Sequence, residues 1–432
     1  MRVTILADRL TRHPWSRSWT VIETARFLAA RGHRVRVVCD SCDEPRVMEG
    51  CELSARRPFR SARVVSAGGL ARFFRAASNG PAADGIVLSF TRVAPGDVWM
   101  PLGRGAGPEA RWLLRTLLTS GHPRLDYAVR RLLPLYGAAR RERRVEAELE
   151  RARALVAAGP AAADRARAAL PGLASRVVDL GHASGIEPPS AEVSASWRAR
   201  VRRALRLDDA RVVGVMALAS SADRGHLALL DGLGRVGERW PERAPVVMIA
   251  ARDAHGVHAA ARRARAGHLT RIVGVTARMD ALLAAADIGV SPSADEPGRL
   301  GLGSTGRFAA DCLRMGRPLL IASGAPGADL VGGAANPESA PGLVLERSDA
   351  ERWTEALATA CDATWRARAT GAARRLAPAL GLRASASEAG GAADARGAGG
   401  WLERMEALLM RVRDDRDAGI AAGASGQQSA RP

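Results

Sequence analysis

RIVGVTARMDALLAAADIGVSPSADEP, residues 271–297, reads as strand, turn, helix and strand, followed by an acidic, proline-bearing loop. Residues 272–275 are apolar and, apart from Gly274, β-branched. Met279, Leu282, Leu283 and Ala286 recur at helical spacing. Asp287 ends that helix, and residues 288–290 resume a buried strand. Such a βαβ unit aims its last loop at the carboxyl edge of a parallel sheet, where open α/β folds bind ligands. The loop carries Asp295 and Glu296.

The same alternation extends in both directions. Residues 3–7 and 35–39 read as strands flanking a helix with Val21, Ala25, Leu28 and Ala29 on one face. Further strands are expected at 62–66, 85–89, 155–158 and 176–180. Residues 113–155 read as mainly helical. The segment SGIEPP, 184–189, cannot continue a helix or a central strand and reads as a linker. Strands then restart at 212–218, 246–250, 272–275, 288–290, 318–322 and 342–345. Strand-first alternation predicts doubly wound parallel sheets. A chain of 432 residues exceeds one ordinary core and implies two domains. We expect a first domain over 1–187 and a second over 188–383. A flexible Ala/Gly-rich loop follows at 384–400, then an amphipathic helix at 401–412 and a disordered tail at 413–432.

An apolar fraction of 47% argues against wholesale disorder. Aromatic residues make up only 4%, so the cores must be built from Val, Leu, Ile and Ala. Every basic side chain other than histidine is arginine, and the net charge is +19. That field attracts anions. Few aromatics and no binding motif argue against a nucleic-acid partner. Five cysteines are too few for a disulfide scaffold. Cys39, Cys42 and Cys51 have no fourth ligand for zinc at a suitable spacing. No apolar stretch is long enough to span a bilayer, and Asp8 and Arg9 interrupt the first apolar run before a signal sequence forms. A cytoplasmic protein is expected.

Two such halves joined by a Pro-containing linker suggest a clamp that binds ligands in the cleft between its lobes. Several stretches resemble the GT-B glycosyltransferases, specifically the retaining nucleotide-sugar enzymes of family 4. These are RFLAARGHRVRVVCD (26–40), the SGIEPP linker, VVGVMALASSADRGHLALLDGL (212–233), RMDALLAAADIGVSPSADEP (278–297) and FAADCLRMGRPLLIAS (308–323). The resemblance implies two Rossmann-like domains facing across a cleft, closed by a C-terminal helix. It implies a metal-independent, retaining transfer from a nucleotide sugar to a glycan or lipid-linked acceptor, with no cofactor beyond the donor.

The resemblance matches Arg224 and Gly225 to the basic residue and glycine that grip the diphosphate. An arginine opening a helix adds a guanidinium fork to the helix dipole, and glycine lets the backbone approach closely. Asp311, five residues before Gly316, matches the acid that binds the ribose. Glu296 matches the carboxylate that faces the transferred sugar. Ser304, Thr305 and Arg307 precede another helix and offer a second anion site, although Ser304 or Thr305 also suits a plain N-cap. His13, in the loop that would face the cleft, is the histidine best placed for a catalytic part. His122 and His182 are weaker candidates.

The sequence departs from the family pattern at several points. Fourteen residues separate Glu296 from Asp311 where the family has seven. The second acid is Asp rather than Glu. Ala219 stands where a second basic residue is expected. The first loop carries Arg12, His13, Pro14, Trp15 and Arg17 in place of glycines. These changes favour, as the alternative, an inactive nucleotide- or glycan-binding relative. Arg130–Arg141, interleaved with Leu132, Leu133, Leu135 and Tyr136, suits peripheral contact with an anionic membrane surface.

Overall fold

The computed structural model describes residues 1–10, 18–43, 45–58, 67–78, 85–91, 94–101, 146–219, 224–251, 254–274, 278–293, 306–333, 337–381 and 400–428. The expected strand at 62–66, the arginine-rich segment 130–141 and most of the loop 384–400 lie outside them.

The first domain contains β1 (Arg2–Leu10), α1 (Ser18–Ala30), β2 (Arg34–Cys42), β3 (Glu52–Pro58), α2 (Ala67–Ser78), β4 (Ile86–Ser89), β5 (Val98–Trp99), β6 (Ala154–Ala157), α3 (Pro160–Ala169) and β7 (Val177–Asp179). Its strands form one parallel sheet in the order β3-β2-β1-β4-β5-β6-β7. The central strands β4 and β6 are buried along their full length, as expected of a sheet covered on both faces. β3, ELSARRP, is an edge strand rich in polar residues, and β5 spans only two residues. Neither has the apolar run that announces the others.

The second domain contains α4 (Ala191–Ala204), β8 (Val213–Ala219), α5 (Arg224–Arg239), β9 (Val246–Ala251), α6 (Ala254–Arg263), β10 (Thr270–Gly274), α7 (Met279–Ala285), β11 (Ile288–Ser291), α8 (Arg307–Arg314), β12 (Leu319–Ala322), α9 (Asp329–Gly332), β13 (Gly342–Leu345), α10 (Ala350–Ala360) and α11 (Ala363–Leu376). Its sheet is also parallel, ordered β10-β9-β8-β11-β12-β13. Each strand expected in this half is present. Val215, Ile249, Ile288, Val290, Leu320 and Ile321 form the centre of its core, capped by Trp353 and Leu357 of α10.

The last helix, α12 (Trp401–Gln428), leaves the second domain and packs on the first. Trp401, Leu402, Met405, Leu408, Leu409 and Val412 join the core built on β1, α1 and β4. Arg404 donates to the Leu180 carbonyl and Arg416 to the Gly85 carbonyl. Glu406 meets His33 at 2.8 Å. The helix runs well past 412, so the disordered tail expected from 413 is helical as far as 428. Among the described residues no helix is long and apolar enough to cross a membrane.

Candidate functional site

In both sheets the strand order reverses beside the first strand, between β1 and β4 and between β8 and β11. Crossovers diverge there and leave a crevice at the carboxyl edge. The segments after β6 (Gly159), β7 (His182) and β12 (Asp329) meet one another, so the two carboxyl edges approach across the domain boundary.

At the second sheet's reversal, α5 begins against the segment that leaves β11. A Cβ on Gly225 would lie 1.9 Å from the Pro292 carbonyl oxygen, so only glycine fits. One residue on, buried His226 meets Ser293 Oγ through Nε2 at 3.1 Å. These contacts fix the N-terminus of α5, with Arg224 as its first residue, beside the loop that continues to Glu296. A helix N-terminus at this edge presents backbone N–H groups and a partial positive charge to an anion. Ala219 ends β8 on the same edge and supplies no charge. Glu296, Ser304, Thr305 and His13 lie outside the described residues.

Asp311 and Arg307 are placed where sequence reasoning did not look for them, against the interdomain linker. The N-cap position of α8 is Gly306, in the left-handed conformation with φ 56°. Asp311 is fully buried, at 0% exposure. Its Oδ1 accepts from Ser184 Oγ and from the Gly185 N–H, each at 2.7 Å. Its Oδ2 makes no hydrogen bond and sits 3.6 Å from Arg307 Nε. Burial pushes the carboxyl up to about 6, against the opposing pull of Arg307, Ser184 and the linker amides. Burial likewise lowers the Arg307 pKa, while the charges of Asp311 and of Glu23 on α1 partly restore it. A Cβ at Gly185 would lie 1.8 Å from Arg307 Nη2, so glycine is required for the linker to cross the guanidinium. Arg307 and Gly185 share a narrow interdomain crevice with Trp19, Thr20, Met100 and Trp401.

His182 is a second tie across the boundary. It is 5% exposed, and Nε2 meets both carboxylate oxygens of Asp329 at 2.9 and 3.0 Å. Burial raises the Asp329 carboxyl, but the hydrogen bond and charge of His182 outweigh it and hold the pKa below its ordinary value. A Cβ at Gly159 or Gly306 would fall within 2.6 Å of a ring nitrogen. The imidazole is therefore enclosed by backbone. His122 is outside the described residues.

At the reversal of the first sheet, Thr91 Oγ1 donates to Asp8 Oδ1, and Trp99 Nε1 donates to the Thr91 carbonyl at 2.7 Å. This pair escaped the sequence reading because more than eighty residues separate its members. Among the described residues no three His, Cys, Asp or Glu side chains come together as a metal site.

No protein-family model matches the chain, and no curated protein matches it. Solved structures do match. WaaG, a glycosyltransferase involved in lipopolysaccharide biosynthesis, superposes with TM-score 0.61 at 17% identity, over 87% of this chain and 95% of that one. The fold is that of the GT-B glycosyltransferases. Anabaena HepE, solved with UDP and glucose, matches with TM-score 0.58 at 15% identity, over 87% of this chain and 94% of that one. The catalytic domain of Arabidopsis thaliana starch synthase IV, bound to ADP and acarbose, matches with TM-score 0.57 at 10% identity. It covers 96% of this chain and 99% of its own. The likeness in fold thus spans 87–96% of the chain.

Proposed function

We propose that the protein is a glycosyltransferase that moves a sugar from a nucleotide-sugar donor to an acceptor hydroxyl, most naturally on a glycan or glycolipid precursor. The observation that carries this reading is the N-terminus of α5, stapled by Gly225 and His226 to the edge where β8 and β11 part. The donor's diphosphate would sit at that helix end, with Arg224 and Arg307 meeting its charge and Ser304 and Thr305 supplying further donors. Asp311 would take the ribose and Glu296 the sugar hydroxyls, while His13 would face the reacting centre. In this reading the transfer retains anomeric configuration and uses no metal, because the arginines and the helix dipole stabilise the leaving diphosphate. HepE, whose structures hold UDP, UDP-glucose or UDP with glucose, supports a nucleotide-sugar donor. WaaG supports an envelope glycan as the product class. Contact with an anionic membrane through 130–141 at its cytoplasmic face belongs to the same proposal. Nucleic acid does not.

The test is a panel of uridine, guanosine and adenosine diphosphate sugars, read by release of the diphosphate with and without a mixed glycan acceptor. Turnover of one donor is expected. A second reading, a binding protein without turnover, is favoured by Ala219 at the end of β8 and by the enclosure of Asp311. Saturable nucleotide binding with no release in the full panel would establish it.

A further inference from the structure

Asp311 joins the two domains in this structure, yet it is also the carboxylate proposed above to hold the donor's ribose. It cannot do both with the same oxygens. Oδ1 is occupied by the Ser184 hydroxyl and the Gly185 amide, and the whole side chain is shut off from solvent. Its cover is thin. Gly185 and the Arg307 guanidinium lie over it, and both line the interdomain crevice. Beneath that cover, Oδ2 makes no hydrogen bond. A buried acceptor in this state forfeits the free energy of its lost hydration. A ligand hydroxyl reaching it would recover that loss.

We propose that the Ser184 hydroxyl occupies the place of a ribose hydroxyl on Asp311, so that the linker and the nucleotide compete for one carboxylate. The inference rests on the glycosyltransferase reading of the site and adds its regulation. When the nucleotide arrives, its ribose hydroxyl replaces Ser184 Oγ, and the linker at 184–185 moves off α8. Ser184 keeps partners when it leaves, because its Oγ already accepts from the Ile186 amide at 3.1 Å, and the Ile186 carbonyl, 3.2 Å away, can take its single proton in place of Asp311. Moving Gly185 also uncovers Arg307, which it crosses in close contact. One displacement would thus free the ribose acid, expose a cation to the diphosphate and release one tie across the domain boundary. The ties from His182 to Asp329 and from the Ser184 amide to the Leu380 carbonyl are separate from this exchange. Because coupling between two binding events is reciprocal, whatever loosens the linker must tighten the nucleotide by the same factor.

The experiment compares wild type with Ser184→Ala by calorimetric titration with uridine, guanosine and adenosine diphosphates and with their 2′,3′-dideoxy forms. Removing the competing hydroxyl is expected to tighten the preferred ribonucleotide severalfold and to leave its dideoxy counterpart unchanged. A second measurement needs no variant. Saturating ribonucleotide should accelerate hydrogen exchange at the Gly185 amide in the wild-type protein. Tight binding with equal affinity in Ser184→Ala and unchanged Gly185 exchange would keep the donor reading and overturn the competition. A chain that binds none of the diphosphates would overturn both. Slower Gly185 exchange on binding would show that the nucleotide reinforces the linker contact, and would also overturn the competition.

Discussion

Asp287 and Asp311 are two acids of the same domain, one just after a helix and one within the next, and they are treated in opposite ways. Asp287 is completely paired. Its Oδ1 accepts from Arg198 at 2.8 Å, and its Oδ2 accepts from Arg202 at 2.7 Å and from the Val213 amide at 2.8 Å. Arg202, only 1% exposed, spends its other donors on the carbonyls of Ala285, Asp208, Asp209 and Arg211. That network clamps α4, the first helix after the linker, to the end of α7 and the start of β8. Asp311 has a nearby arginine as well, but at 3.6 Å without a hydrogen bond, and one of its oxygens is unsatisfied. A charge with all its partners holds structure together. A charge left short of them stores free energy that a ligand can recover.

Breaking the complete network should have the largest effect. Arg202→Met would leave Asp287 with one of its two arginines and strand several carbonyls. We expect a loss of about 3–5 kcal/mol, seen as a large drop in the thermal midpoint of the second domain, with nucleotide affinity of the folded protein preserved. An unchanged midpoint would erase the distinction between the two acids.

Asp311 should show its incompleteness through pH. Its pKa is about 6 in the folded protein against 3.8 in the unfolded chain. Between those values the folded state binds the extra proton. The proton's contribution is therefore full below about pH 4 and is lost as pH rises through 6. Relative to Asp311→Asn, wild type should lose roughly 3 kcal/mol of stability from pH 4 to pH 7. Parallel stability curves for the two proteins would show that Asp311 is as well paired as Asp287.

Arg224→Ala sharpens the contrast from the functional side. Turnover should fall about 100-fold while the melting temperature stays nearly constant, because this residue opens α5 at the ligand edge. The smallest effect belongs to Glu351→Gln. Its carboxylate bridges Arg235 and Arg239 at 2.8 and 2.7 Å on an open surface, where solvent screens the pair. Neither stability nor activity should change measurably.

Much of the frame was legible. Apolar, β-branched runs marked β1, β2 and every strand of the second sheet, because buried parallel strands require such runs. β3 was missed because an edge strand can be built from polar residues such as ELSARRP. The amphipathic face of α12 was legible from Leu402, Met405, Leu408 and Leu409. Its docking on the first domain was not, since periodicity says that a helix needs a partner and never which one. The same limit applied to the site. Gly225 was legible as a glycine at a helix start, but the group that fills its space, the Pro292 carbonyl, lies 67 residues along the chain and was not. The contact of Asp311 with Ser184 spans 127 residues, and that of His182 with Asp329 spans 147. Local patterns carry no information about which distant side chain will share a boundary.

The most direct test of the account is titration of wild-type protein and Arg224→Ala with uridine, guanosine and adenosine diphosphates. One of them should bind wild type saturably, and the variant, still folded, should bind it at least tenfold more weakly. Equal affinity in the two proteins, or no binding of any of the three by wild type, would contradict a diphosphate held at the start of α5.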